Sequence, residues 1–118
     1  MSYDIDLKDP VTGNVLQLDA KHHMKGGTYA IGGTQDASLN ITYNYAAHFV
    51  KALGENGIRT IYGMTGAASL QLLRGAAETL CNDVDDDYWK PTEGNAKAAL
   101  LQLASLAEMR PDGVWSGD

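Results

Sequence analysis

The spacing of apolar residues changes once along the chain, and that change limits the folds open to it. In "YDIDL" Tyr3, Ile5 and Leu7 alternate with Asp4 and Asp6, and Leu16 and Leu18 resume the alternation after "KDPVTGN". A period of two puts successive side chains on opposite faces, so one face of each strand is buried while the other meets water. Asp9, Pro10 and Gly13 are turn formers, which predicts a β-hairpin with a loop longer than two residues. Thr28 to Ile31 offers a short third strand, stopped by Gly32 and Gly33. From Asn40 the spacing becomes three and four: Ile41, Tyr45, Phe49, Ala52 and Leu53 share one helical face, which "GENG" ends.

Two further helices follow. Ile58 and Ile61 are apolar enough to be buried, and Gly63 and Gly66 bend the chain after them. Thr65 stands where it can cap a helix with the face Leu70, Leu73, Ala77 and Leu80. Gly75 weakens that helix by ~1 kcal/mol relative to alanine unless a close contact compensates. The acidic "NDVDDDYW" is a connector, because Asn and Asp favour turns. Beyond it lies the strongest helical signal: Thr92 or Asn95 as cap, the face Ala96, Ala99, Leu100, Leu103, Leu106 and Ala107, and Pro111 as terminator. The reading is α+β: residues 1–118 form a single compact domain in which a small N-terminal antiparallel sheet, the hairpin plus the short third strand, is covered by about three helices.

Charge and composition exclude several function classes. Asp and Glu number 15 against 9 Lys and Arg, a formal charge of −6, which repels phosphate backbones and argues against general nucleic-acid binding. The same acidity suits docking on a basic protein surface. Apolar runs fall far short of the ~20 residues that span a bilayer, so no membrane insertion is expected. No basic segment leads into an apolar run at the start, and the expectation is an intracellular, cytoplasmic protein. Cys81 is the one cysteine, so an internal disulfide is impossible and cysteine-based zinc chemistry lacks ligands.

The stretch "HHMKGGTYAIGGT", residues 22 to 34, carries the most chemistry. Glycine lets backbone N–H groups approach an anion closely, and threonine hydroxyls add donors. Gly26, Gly27 and Thr28 with Gly32, Gly33 and Thr34 are therefore a candidate anion cradle, to which Lys25 adds charge and His22 and His23 add hydrogen bonds. Tyr43 and Trp89 are candidates for stacking on a ligand. The spacing matches neither the P-loop nor the dinucleotide fingerprint, and tight turns flanking a strand account for the same residues. Histidines lack the H-E-x-x-H spacing, and adjacent His22 and His23 point to opposite strand faces, so no metal site is expected. Asp83, Asp85, Asp86 and Asp87 fail the calcium-loop pattern, having no glycine at its sixth position and Gly94 at its twelfth. Those carboxylates suit a solvated loop or a helix N-terminus. Ser69 and Cys81 lack a nucleophile motif; the first reads as a polar helix residue and the second as a small buried one. Tyr45 reads as core, whereas Trp89 and Trp115 lie in turn-rich segments and read as interface residues.

Taken together, "HHMKGGTYAIGGT", "LNITYNY", "IYGMTGAASL", "YWKPTEGNAKAALLQL" and "MRPDGVWSGD" resemble a group of small proteins of bacteriophage and bacterial genomes that carries no assigned activity. The resemblance covers nearly the whole chain. It implies an intracellular accessory protein, phage-derived, that binds a host protein or a small signalling molecule, and it transfers no site residues.

The functional expectation is a stoichiometric binding module for a small anionic, nucleotide-like ligand or a protein partner, with no cofactor and no catalytic residues. Homo-oligomerisation is left open. The alternatives are a small hydrolase or transferase using His22, His23 or His48 with a carboxylate, and a structural subunit of an assembly.

Overall fold

In the computed structural model, residues 2–24, 33–87 and 89–118 are described. Strand β1 (Ser2–Lys8) buries Tyr3, Ile5 and Leu7 on one face, as its alternation requires, and lies at the centre of a three-stranded antiparallel sheet. Its two partners come from parts of the chain where the sequence suggested no strand. On one side β4 (Ser38–Thr42) pairs in the register Tyr3 with Ile41 and Ile5 with Leu39. On the other side β5 (Val114–Gly117) pairs Leu7 with Trp115. A smaller sheet joins β2 (Gln17–His22) to β3 (Thr34–Asp36). The α+β class follows directly.

Both N-terminal strand segments are present, linked by a turn on Asp9. The Asp9 carboxylate accepts the amides of Val11 and Thr12 at 2.8 and 3.0 Å, and Gly13 takes a positive φ of 75°. After the Lys8–Val15 bridge the strands part, and β2 continues in the second sheet. The third strand expected at Thr28 to Ile31 lies outside the described residues.

The first helix starts later than its apolar spacing suggests. Ile41 lies in β4, Tyr43–Tyr45 form a 3-10 turn, and α1 runs only over Ala46–Leu53. The reason is a coincidence of periods: Ile41 is four residues before Tyr45 and two after Leu39, so it fits either pattern. Thr42 marks the boundary, its hydroxyl accepting the Asn44 amide at 3.2 Å. A second 3-10 segment, Gly57–Ile61, buries Ile58 and Ile61.

Helices α2 (Gly66–Glu78) and α3 (Glu93–Met109) are capped as expected, Thr65 accepting from the Ala68 amide and Thr92 from the Asn95 amide, both at 3.0 Å. Thr92, not Asn95, is therefore the cap. All six residues of the expected α3 face are buried. The start of α2 abuts the end of α3 at Gly66, where an added Cβ would lie 2.7 Å from the Arg110 carbonyl oxygen. Among the described residues no such contact surrounds Gly75, and the weakness it brings to α2 stands uncompensated by them.

Trp115 is a core residue and not an interface one: it is 1% exposed, with its indole N–H donating to Ser69 Oγ at 2.7 Å. Burying an indole costs free energy unless its N–H is paired, and the equally buried Ser69 supplies that acceptor. Ser69 donates in turn to the Gly66 carbonyl at 2.9 Å. Cys81, by contrast, is exposed, because the chain has already left α2 and the last inward residue is Leu80. Among the described residues no helix is long and apolar enough to cross a membrane.

Candidate functional site

Strand β2 leaves the main sheet and passes beside the last turn of α3, and a groove of about 490 Å³ lies between them. Leu18, Met24 and Met109 give it an apolar lining, while Lys21, His22 and Arg110 bring polar groups to the same space. Along β2 Leu18 is buried, while Asp19, Ala20 and Lys21 are exposed. Pro111 stops the helix, and Arg110, as its C-cap, turns its guanidinium towards β2.

Arg110 is held on three sides. Nη1 donates to the Gln17 carbonyl at 2.8 Å, while Nε and Nη2 grip the Asp112 carboxylate at 3.1 and 2.9 Å. This two-point contact holds the Asp112 carboxyl below its ordinary range and raises the Arg110 guanidinium above its own. Lys21 is exposed and has no ion pair among the described residues. His22 is half-buried, with Nε2 2.9 Å from the Asp36 carbonyl oxygen and Nδ1 3.2 Å from the Met24 amide.

The residues singled out in the sequence fall in two places. His22, His23, Gly33 and Thr34 gather at the end of the β2–β3 ribbon, where His22 and Thr34 are register partners. Gly33 has a φ of 73°, and a Cβ there would lie 2.5 Å from the His23 ring, so this glycine meets a backbone and packing requirement. Thr34 Oγ1 accepts the Asp36 amide at 3.0 Å and so serves the local turn. Lys25, Gly26, Gly27, Thr28 and Gly32 lie outside the described residues.

Tyr43 and Trp89 occupy the other place. The Tyr43 ring meets Tyr3 edge-on at 4.5 Å, and Asn44 beside it donates to the Trp89 carbonyl at 2.8 Å. The five residues of β4, about 17 Å of strand, separate Tyr43 from the β3 end of the ribbon. Trp89 belongs to the connector between α2 and α3, which is organised on a buried residue, Asn95. Its amide oxygen accepts from Asp85 at 3.1 Å, and its amide nitrogen donates to the carbonyls of Asp87 and Lys90 at 3.2 and 3.1 Å. Asp83 accepts the Gly94 amide at 3.0 Å in the first turn of α3, the dipole-compatible place for a carboxylate. In this connector Trp89 and Val84 are 44% and 65% exposed.

Lys21, Met24, Met109 and Arg110 did not stand out in the sequence. An arginine before proline at a helix end is a readable local signal for Arg110, but only the tertiary fold brings it to β2, at the Gln17 carbonyl. As for a His–carboxylate pair, His22 and His48 bond instead to main-chain carbonyls, His48 donating to Pro91 at 2.7 Å. Among the described residues no group of three or more His, Cys, Asp or Glu is placed to hold a metal ion. No protein family, curated protein or solved structure matches the chain, and the functional reading rests on this geometry.

Proposed function

We propose that the chain is a stoichiometric binding module whose groove between β2 and the end of α3 takes a small ligand with an anionic group and an apolar body. The observation that carries this reading is that Lys21 and Arg110 both line a groove whose apolar lining is Leu18, Met24 and Met109. Arg110 is already committed to Asp112, so among the described residues that line the groove Lys21 contributes a charge available to an incoming anion. The net charge of −6 does not forbid this. Charges beyond about 8 Å are screened at physiological ionic strength, so the nearest cations dominate.

The test is calorimetric titration with a panel of phosphate- and carboxylate-bearing compounds, nucleoside monophosphates among them. Lys21→Ala is expected to weaken binding about tenfold, a loss of ~1.4 kcal/mol, with little change in stability. Lys97→Ala removes the same charge from α3 and is the control. Equal losses from both substitutions, vanishing in high salt, would reduce the effect to diffuse electrostatics and remove the groove as the site. Lys25→Ala, three residues from His22 in sequence, tests the cradle in the same panel.

A second reading, docking on a protein, is favoured by the connector that exposes Trp89 and Val84 beside Asp83, Asp86 and Asp87. Tryptophan is a common interface anchor. The partner would present a basic surface. Trp89→Ala is expected to abolish such binding while shifting stability by no more than about 0.5 kcal/mol, measured by thermal melting.

A further inference from the structure

His22 makes two ring hydrogen bonds, and both partners are backbone groups whose roles are not open to choice. The Asp36 carbonyl oxygen can only accept, so Nε2, 2.9 Å away, carries the hydrogen. The Met24 amide can only donate, so Nδ1, 3.2 Å away, presents a bare lone pair. The ring is therefore held in one neutral tautomer. It ties the end of β2 to β3 through one nitrogen and to the first residues after the strand through the other.

We infer that His22 is a proton-operated latch on the lip of the groove, closed when the imidazole is neutral and released at Met24 when Nδ1 takes a proton from solvent. Protonation places an N–H where the lone pair was, so Nδ1 and the Met24 amide become two donors facing each other. The amide must turn to water. The bond from Nε2 to Asp36 survives and strengthens, because an imidazolium remains a donor there. The ring then stays hooked to β3 while Met24 lets go, and Met24 is one of the apolar residues lining the groove.

The charged groups around the ring come from three elements. Asp19 and Lys21 line the groove from β2, with His23 next in the chain. Asp36 stands on β3, its carboxylate engaged by the Gln17 side-chain amide at 2.6 Å. The end of α3 contributes Arg110 with its partner Asp112, and Glu108, which borders Met24. The latch itself needs no ligand; only its use in regulating the groove rests on the function proposed above.

The experiment is amide hydrogen exchange and nitrogen-resolved NMR on the unliganded full chain from pH about 8 to about 5, the interval in which histidines change charge. The Met24 amide is expected to be protected at the upper end. Its protection, corrected for intrinsic exchange, should fall about fivefold or more as the His22 ring titrates, with one midpoint for both signals. His22→Asn keeps an acceptor near the Nδ1 position that does not titrate, and should leave Met24 protection independent of pH. His22→Gln keeps a donor near the Nε2 position and should leave Met24 unprotected throughout. A Met24 amide indifferent to His22 titration, or a neutral ring with its hydrogen on Nδ1, would overturn the proposal. Because the wild-type titration decides by itself, a variant that fails to fold does not rescue it. Failure of anion binding would leave the amide signals untouched, so the two readings fall separately.

Discussion

At the scale of single residues, the core is held to one arrangement by a polar contact as well as by apolar packing. Trp115 and Ser69 are both buried, and the indole N–H has Ser69 Oγ as its acceptor at 2.7 Å. Shape alone would allow alanine at position 69, but the indole N–H would then be buried without an acceptor. Ser69→Ala is expected to cost about 2 kcal/mol in denaturant unfolding, within the range for leaving a buried donor unpaired. A loss under about 0.5 kcal/mol would show that the pair contributes little to stability. The serine was readable only as a polar helix residue, since its partner lies 46 positions away in a strand of four residues.

At the scale of elements, α2 carries a correctable weakness. Gly75 stands in the helix interior, is exposed, and has open space where a side chain would begin. Nothing in its surroundings requires a glycine, and its backbone freedom in the unfolded chain opposes folding. Gly75→Ala is expected to stabilise the protein by ~1 kcal/mol and to raise the melting temperature by about 4 °C. Gly66 and Gly94 offer the contrast within the same pair of helices. A Cβ at either would meet backbone atoms, at 2.7 Å from Arg110 and at 2.5 Å from Val84 respectively, so alanine there would force the elements apart.

At the scale of the whole molecule, three segments converge beside Tyr62. Arg59 from the second 3-10 segment donates to the Asp118 carbonyl at 2.9 Å and lies over the Tyr3 ring of β1 at 5.1 Å. Burial, together with the nearby Asp118 charge, pushes the Tyr62 hydroxyl up to about 12, from an ordinary value of about 10. The sign follows from which state releases its proton first. Between about pH 10 and 12 the unfolded chain has lost this proton and the native chain keeps it, so stability falls as pH rises through that window. Tyr62→Phe is expected to remove part of that alkaline slope, measured as melting temperature against pH, because its contact with Asp118 is long at 3.4 Å and its loss at neutral pH is minor. An unchanged slope would assign the alkaline loss to other groups.

What the sequence by itself determined is local: the strand period of Tyr3, Ile5 and Leu7, the cap Thr65, a choice of Thr92 or Asn95 as the cap of α3, the stop at Pro111, and the inward face of α3. Each depends on residues within a turn or two of one another, where backbone geometry and side-chain period act directly. Tertiary structure alone decided the rest. Ile41 satisfied both periods until pairing with Tyr3 placed it in a strand. The segment holding Trp115 was too short to show alternation, and became a strand because β1 offered one edge and Met64 accepted its outward amide at 2.9 Å. The groove is likewise invisible in the sequence. Lys21 and His22 are neighbours in the chain, but Arg110 shares a groove with them only because α3 ends beside β2, where it bonds the Gln17 carbonyl, and such proximity depends on how the elements pack and not on any local spacing.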